Sequence, residues 1–101
     1  MIVYNVTINI EANAHLEWLS WMQQVHIPQV IATGLFHGYR MLRVLNTQED
    51  EEGFTYAIQY QLQSMKEYDE YIDLYATALR ADTEKMFGGR YVAFRTLLEE
   101  V

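Results

Sequence analysis

A chain of 101 residues, half of them hydrophobic and none of them cysteine, has material for one core and cannot be a disulfide scaffold, a cysteine-nucleophile enzyme or a thiolate metal site. Fourteen acidic residues against seven basic ones give a formal charge of −7, which opposes phosphate backbones and anionic lipid and argues against nucleic-acid binding. Five glycines and one proline leave no room for a linker, so residues 1–101 are expected to form a single domain.

Met1-Ile2-Val3-Tyr4-Asn5 enters a strand directly, with no basic leader and no apolar h-region. No run approaches the roughly 18 apolar residues of a membrane span, so a cytoplasmic protein without membrane contact is expected. Ile2, Tyr4, Val6, Ile8 and Ile10 alternate with Val3, Asn5, Thr7 and Asn9, a strand with one apolar face and one polar but uncharged face. Leu16, Trp18, Leu19, Trp21, Met22, Val25 and His26 fall on one half of a helical wheel and predict an amphipathic helix with an aromatic stripe. Pro28 breaks or kinks that helix, or opens a short second turn, and Gly34 stops it.

Leu35 to Asn46 reads as an edge strand carrying His37, Arg40 and Arg43, with Leu42 and Val44 towards the core and Tyr39, Met41 and Arg43 facing away. Thr47 to Gly53 is an acidic hairpin loop, solvated rather than calcium-binding because its carboxylates lack the spacing and the glycine of a calcium loop. Phe54 to Leu62 has the cleanest alternation in the chain: Phe54, Tyr56, Ile58, Tyr60 and Leu62 against Thr55, Ala57, Gln59 and Gln61. Ser64-Met65-Lys66-Glu67 matches a capping box. The helix it opens has the stripe Met65, Tyr68, Tyr71, Ile72, Tyr75 and Leu79, continuing to Met86, with Arg80 away from the stripe and Gly88-Gly89 as its end. Tyr91 to Leu98 closes the chain as a strand in which Val92, Phe94 and Leu98 alternate against Tyr91, Ala93, Arg95 and Leu97.

The order strand, helix, strand, strand, helix, strand is the βαββαβ pattern of an α+β ferredoxin-like sandwich. Right-handed crossovers place the first and third strands centrally in a four-stranded antiparallel sheet, order 4-1-3-2, with both helices on one face. The other face is expected to collect Asn5, Thr7, Gln59 and Gln61 at its centre, with Tyr39, Arg43, Tyr91 and Arg95 on its flanks. Arginines without acids, in so acidic a chain, suggest a covered surface: a homodimer interface, or a ligand cavity closed by a second copy in which Arg43 or Arg95 draws an anionic group. Either way the reading is a binding or interaction module, with an enzyme as the alternative.

His15, His26 and His37 fall in different parts of this layout, so no metal site is expected, and His26 reads as a half-buried, hydrogen-bonded residue. Trp21, at the border of the stripe, and His26 together mark a possible pocket. There is no phosphate-cradling glycine loop, serine elbow or zinc motif, and no cofactor is expected.

Trp18-x-x-Trp21-Met22, Val25-His26-Ile27-Pro28, Ala32-Thr33-Gly34-Leu35-Phe36, Gly88-Gly89 and Ala93-Phe94-Arg95-Thr96-Leu97-Leu98-Glu99 together resemble an uncharacterised bacterial family of similarly short proteins, a domain of unknown function. That resemblance spans the chain and implies no activity. At fold level the pattern is also similar to the dimeric α+β barrel superfamily, which includes quinol, antibiotic-biosynthesis and haem-degrading monooxygenases. The resemblance implies, as the alternative, a cofactor-independent monooxygenase acting on a small aromatic or anionic molecule. Haem-degrading members use a strand asparagine, a later tryptophan and a histidine on the second helix. Asn5 matches the first, and the other two positions are empty, because no tryptophan follows Trp21 and no histidine follows His37.

Overall fold

The computed structural model describes residues 1–46 and 52–101. β1 (Ile2–Ile10), β2 (Gly38–Arg43), β3 (Phe54–Leu62) and β4 (Tyr91–Glu99) form one antiparallel sheet in the order β2-β3-β1-β4, the expected order read from the other edge. β1 pairs along its whole length with both neighbours, Ile2 facing Leu62 on one side and Glu99 on the other. The expected strand from Leu35 is shorter at both ends, Gly38–Arg43, although single backbone bonds to β3 continue beyond it, from the His37 amide to Gln61 and from the Val44 amide to Thr55. Residues 47–51 of the expected acidic loop lie outside the described residues. Gly53 beside them closes on β1: with φ at +92°, it would put a Cβ 2.3 Å from the Ile10 carbonyl oxygen, so only glycine fits.

Two helices cover one face. The first, α1 (residues 15–31), runs through an α-helical segment His15–Trp21, a π-helical turn Met22–His26 and a second α-helical segment Ile27–Ile31. The second, α2 (residues 65–87), repeats the plan with Met65–Tyr71, a π turn Ile72–Ala76 and Thr77–Phe87. Pro28 lies in the first turn of the segment after the π turn, where its missing amide hydrogen is tolerated, so the helix continues past it.

Each π turn adds one residue to a helical turn and so rotates everything downstream by about 100° relative to a plain α-helix. The expected stripe on α2 holds at Tyr68, Tyr71, Ile72 and Leu79 but not at the exposed Met65, and after the π turn the fully buried positions slip by one: Ala76, Thr83 and Phe87 are buried, while Tyr75 and Met86 are exposed. On α1 the buried residues after the turn are Ile27 and Val30, whereas Val25 is exposed. Leu16, assigned to the stripe, is 77% exposed. Of the expected capping box only Glu67 takes part, accepting from the Gln63 amide at 2.9 Å, while Ser64 makes no side-chain cap bond.

The core lies between the helices and the sheet, built from alternate residues of β1 and β3 with Trp18, Met22, Tyr71 and Phe87 from the helices. Tyr4 is its aromatic centre, with ring centroids of Phe36, Tyr60, Tyr68 and Tyr71 at 5.5–6.4 Å.

Candidate functional site

Residues directly opposite one another in antiparallel strands share a face, and the register therefore corrects the expected layout of both edge strands. Tyr39, Met41 and Arg43 stand opposite Tyr60, Ile58 and Tyr56, and so belong to the helix side, while Leu42 stands opposite Ala57 on the open side. Likewise Tyr91, Arg95 and Leu97 stand opposite Ile10, Val6 and Tyr4 on the helix side, and Val92, Phe94 and Leu98 occupy the open side. Of the residues expected to form one interaction face, Asn5, Thr7, Gln59 and Gln61 are on the open face as expected, whereas Tyr39, Arg43, Tyr91 and Arg95 are on the other.

On the open face the polar groups are bonded to one another: Asn5 Nδ2 donates to Thr7 Oγ1 at 3.0 Å, Asn9 Nδ2 to Thr55 Oγ1 at 3.0 Å, and Arg40 Nη2 reaches Gln59 Oε1 at 3.4 Å. Around them stand apolar side chains open to solvent, Val92 at 71% and Phe94 at 61% with Leu98 on β4, and Leu42 on the opposite edge strand. A hollow of about 370 Å³ lies over Thr7, Asn9, Thr55, Val92 and Phe94, with Glu52 on its wall. Among the strand residues of this face there is one cation, Arg40, and no carboxylate.

The second concavity lies on the other side of the sheet, between the helices and strands β1, β3 and β4. Tyr4, Tyr60, Tyr71, Tyr91, His26, Arg80, Thr83 and Arg95 line it, with an apolar wall of Val6, Ile8, Met22, Val30, Ile58 and Ala93. Its enclosed volume is about 30 Å³, room for a water-sized group. Arg95 is the exposed member of the lining, so the cavity meets solvent on the β4 side. No single cavity can join Arg95 to Asn5 and Gln59, which the sheet itself separates.

The π turns build this site. His26 is the last residue of the turn in α1, and the slipped phase of α2 carries Arg80, expected to point away, to the sheet side, where its Nη2 donates to the Tyr4 hydroxyl at 3.1 Å. Two buried polar atoms of the lining, His26 Nδ1 and Arg80 Nε, have no hydrogen-bond partner among the described residues. Trp21 stacks on His26 with centroids 5.0 Å apart and meets Phe87 edge-on at 5.5 Å, so it backs the cavity without lining it. Burial pushes the His26 pKa down to about 4, with Asp82 opposing and Arg95 adding to the shift, so the imidazole is neutral at pH 7. Burial also raises Tyr71 to about 12, helped by Tyr4 and opposed by the positive charges of Arg80 and Arg95, and it raises Tyr60 as well. Tyr91 donates its hydroxyl to Glu84 at 2.7 Å, which occupies that carboxylate. The arrangement offers an incoming molecule two guanidinium groups, an uncharged imidazole and neutral phenols.

The other histidines lie elsewhere. His15 Nε2 meets the Tyr56 hydroxyl at 2.7 Å and its ring stacks on Phe54, while His37 Nε2 is 3.4 Å from Glu67 Oε2. Among the described residues no three His, Asp or Glu side chains gather in a metal-binding group, and no helix is long and apolar enough to cross a membrane.

The family model of a domain of unknown function, DUF4286, matches residues 1–101. The chain belongs to that family. Comparison with curated proteins finds no match. Solved structures share the fold at low identity. An ethyl tert-butyl ether d (ethd) family protein from Bacillus halodurans aligns over 100% of both chains with a TM-score of 0.74 and 13% identity. A mutant of MhuD with two manganese protoporphyrin IX bound per active site aligns over 100% of this chain and 95% of its own, with a TM-score of 0.67 and 17% identity. A dimeric ferredoxin-like protein from an uncultured marine organism aligns over 100% of this chain and 95% of its own, with a TM-score of 0.64 and 13% identity. These likenesses bear out the ferredoxin-like fold. They carry over no residue role: Asn5, which resembles the strand asparagine of haem-degrading members, lies on the open face, away from the cavity.

Proposed function

We propose that this DUF4286 protein is a homodimer that binds a small molecule between its helices and its sheet, with a second copy covering the open sheet face. The observation that carries the binding half is the pair of buried nitrogens, His26 Nδ1 and Arg80 Nε, which belong to two residues lining one cavity and have no partner among the described residues. Native proteins rarely leave such groups unsatisfied, and their desolvation costs about 1–3 kcal/mol each, a cost that a bound polar group would offset. Supporting the dimer half are the exposed Val92, Phe94, Leu42 and Leu98 around internally bonded amides, and the dimeric state named for the marine ferredoxin-like protein.

Enzymatic chemistry of the cofactor-independent monooxygenase type is the second reading. It is favoured by one observation: an imidazole that stays neutral at pH 7, with an unpartnered ring nitrogen, can accept a proton from a bound hydroxylated substrate.

A fragment screen followed by ¹H–¹⁵N spectra of the full chain tests the binding half. The expected result is that bound fragments shift signals of Val6, His26, Arg80, Ala93 and Arg95. Shifts confined to Asn5, Gln59 and Phe94, or no binder at all, would overturn it.

A further inference from the structure

Resting on that cavity as the binding site, we infer that its ligand is an organic anion whose planar charged group, a carboxylate or an enolate, lies between Arg80 and Arg95 while its apolar body lies over Val6 and Ala93 on the solvent side. The charge distribution carries the argument. The chain has seven cations against fourteen acids, yet two of the seven line this one cavity, and among the described residues neither has a carboxylate partner. Two acids on the neighbouring turn of α2 keep their charges but form no ion pair with Arg80 or Arg95: Glu84 accepts from the Tyr91 hydroxyl, and Asp82 acts on His26.

Guanidinium geometry narrows the class further. Arg80 gives one Nη2 hydrogen to Tyr4 and keeps four of its five donors, among them Nε, which is buried and unpartnered. A planar group with two acceptor oxygens matches guanidinium donors from two residues better than a neutral amide does, because charge-assisted hydrogen bonds are about twice as strong as neutral ones. His26, uncharged and in the lining of the same cavity, adds a third hydrogen bond through its buried, unpartnered Nδ1 without adding a third cation. The enclosed volume of about 30 Å³ is water-sized, so it takes one oxygen of the head group and the rest of the ligand lies towards the Arg95 side.

Benzoate and its neutral isostere benzamide are the probes. Titrated into the full chain at pH 7, benzoate is expected to shift the Arg80 Nε and His26 Nδ1 signals saturably in the millimolar range, with benzamide at least about tenfold weaker. R80Q and R95Q should each weaken benzoate by about tenfold and leave benzamide unchanged, and R80K, which keeps the charge, should weaken it less than R80Q. Dispersed amide spectra of each variant establish that it is folded. Equal binding of benzoate and benzamide at this cavity would overturn the anion inference and leave the binding site standing. No response of Arg80 and His26 to benzoate would also overturn it, and if the fragment screen is silent as well, the cavity reading falls with it.

Discussion

Burial shapes the chemistry of His26 more than any charge beside it. The unfolded chain takes up a proton at this imidazole below about pH 6.5, whereas the folded chain does so only near pH 4. Between those values the unfolded state binds more protons, so the stability His26 contributes is full above pH 6.5 and is lost as the pH falls towards 4, on the order of 3 kcal/mol in all. Urea melts at pH 7 and pH 4.5 should therefore show the parent protein losing about 2 kcal/mol more than His26→Gln, which has nothing to titrate. Equal losses in the two proteins would show that the imidazole is solvated in the folded state. The sequence marked His26 and Trp21 as a possible pocket because both sit at the border of an apolar stripe. It could not mark Arg80, because nothing local distinguishes a cation that turns towards the sheet from one that turns to water.

The reason Arg80 was illegible lies one level up, in the two π turns. A helical wheel drawn at 3.6 residues per turn stays in phase only while the helix does, and residues 72–76 put it one residue out. From Tyr71 onward the wheel picks Tyr75, Leu79 and Met86; the fold keeps Leu79 packed against the core but replaces the other two with Ala76 and Phe87 and adds Arg80 and Thr83. One pair of substitutions tests the slip. Phe87 is 1% exposed and Met86 46%, so Phe87→Ala should cost about 3–5 kcal/mol and Met86→Ala less than about 1 kcal/mol. A reversed order in chemical denaturation would restore the plain α-helical phase.

The strands were legible in a different way. For β1 and β3 the alternation identified both strand and inner face, because polar and apolar residues separate cleanly along them. For β2 and β4 it identified the strand and inverted the face. Val92, Phe94 and Leu98 alternate as core residues would, yet they stand on the side without helices. Alternation reports which face avoids water; it does not report whether a helix or a second molecule does the covering.

At the scale of the whole molecule, that inversion is the argument for self-association. A four-stranded sheet covered by helices on one side, with an apolar edge strand and bonded amides on the other, is half of a two-layer arrangement that a second copy can complete. Topology and strand order followed from the order of elements alone. The position of the candidate site did not, because it depends on which way Arg80 and Arg95 turn.

The most direct test is the native mass of three proteins under gentle ionisation: the parent, Phe94→Asp and Arg95→Gln. The parent and Arg95→Gln are expected at twice 11.9 kDa, since Arg95 faces the helices, and Phe94→Asp is expected as a monomer, since a carboxylate there would be buried unpaired in the interface. A monomeric parent, or a dimer that survives Phe94→Asp and is lost in Arg95→Gln, would contradict both the dimer and the division of labour between the two faces of the sheet.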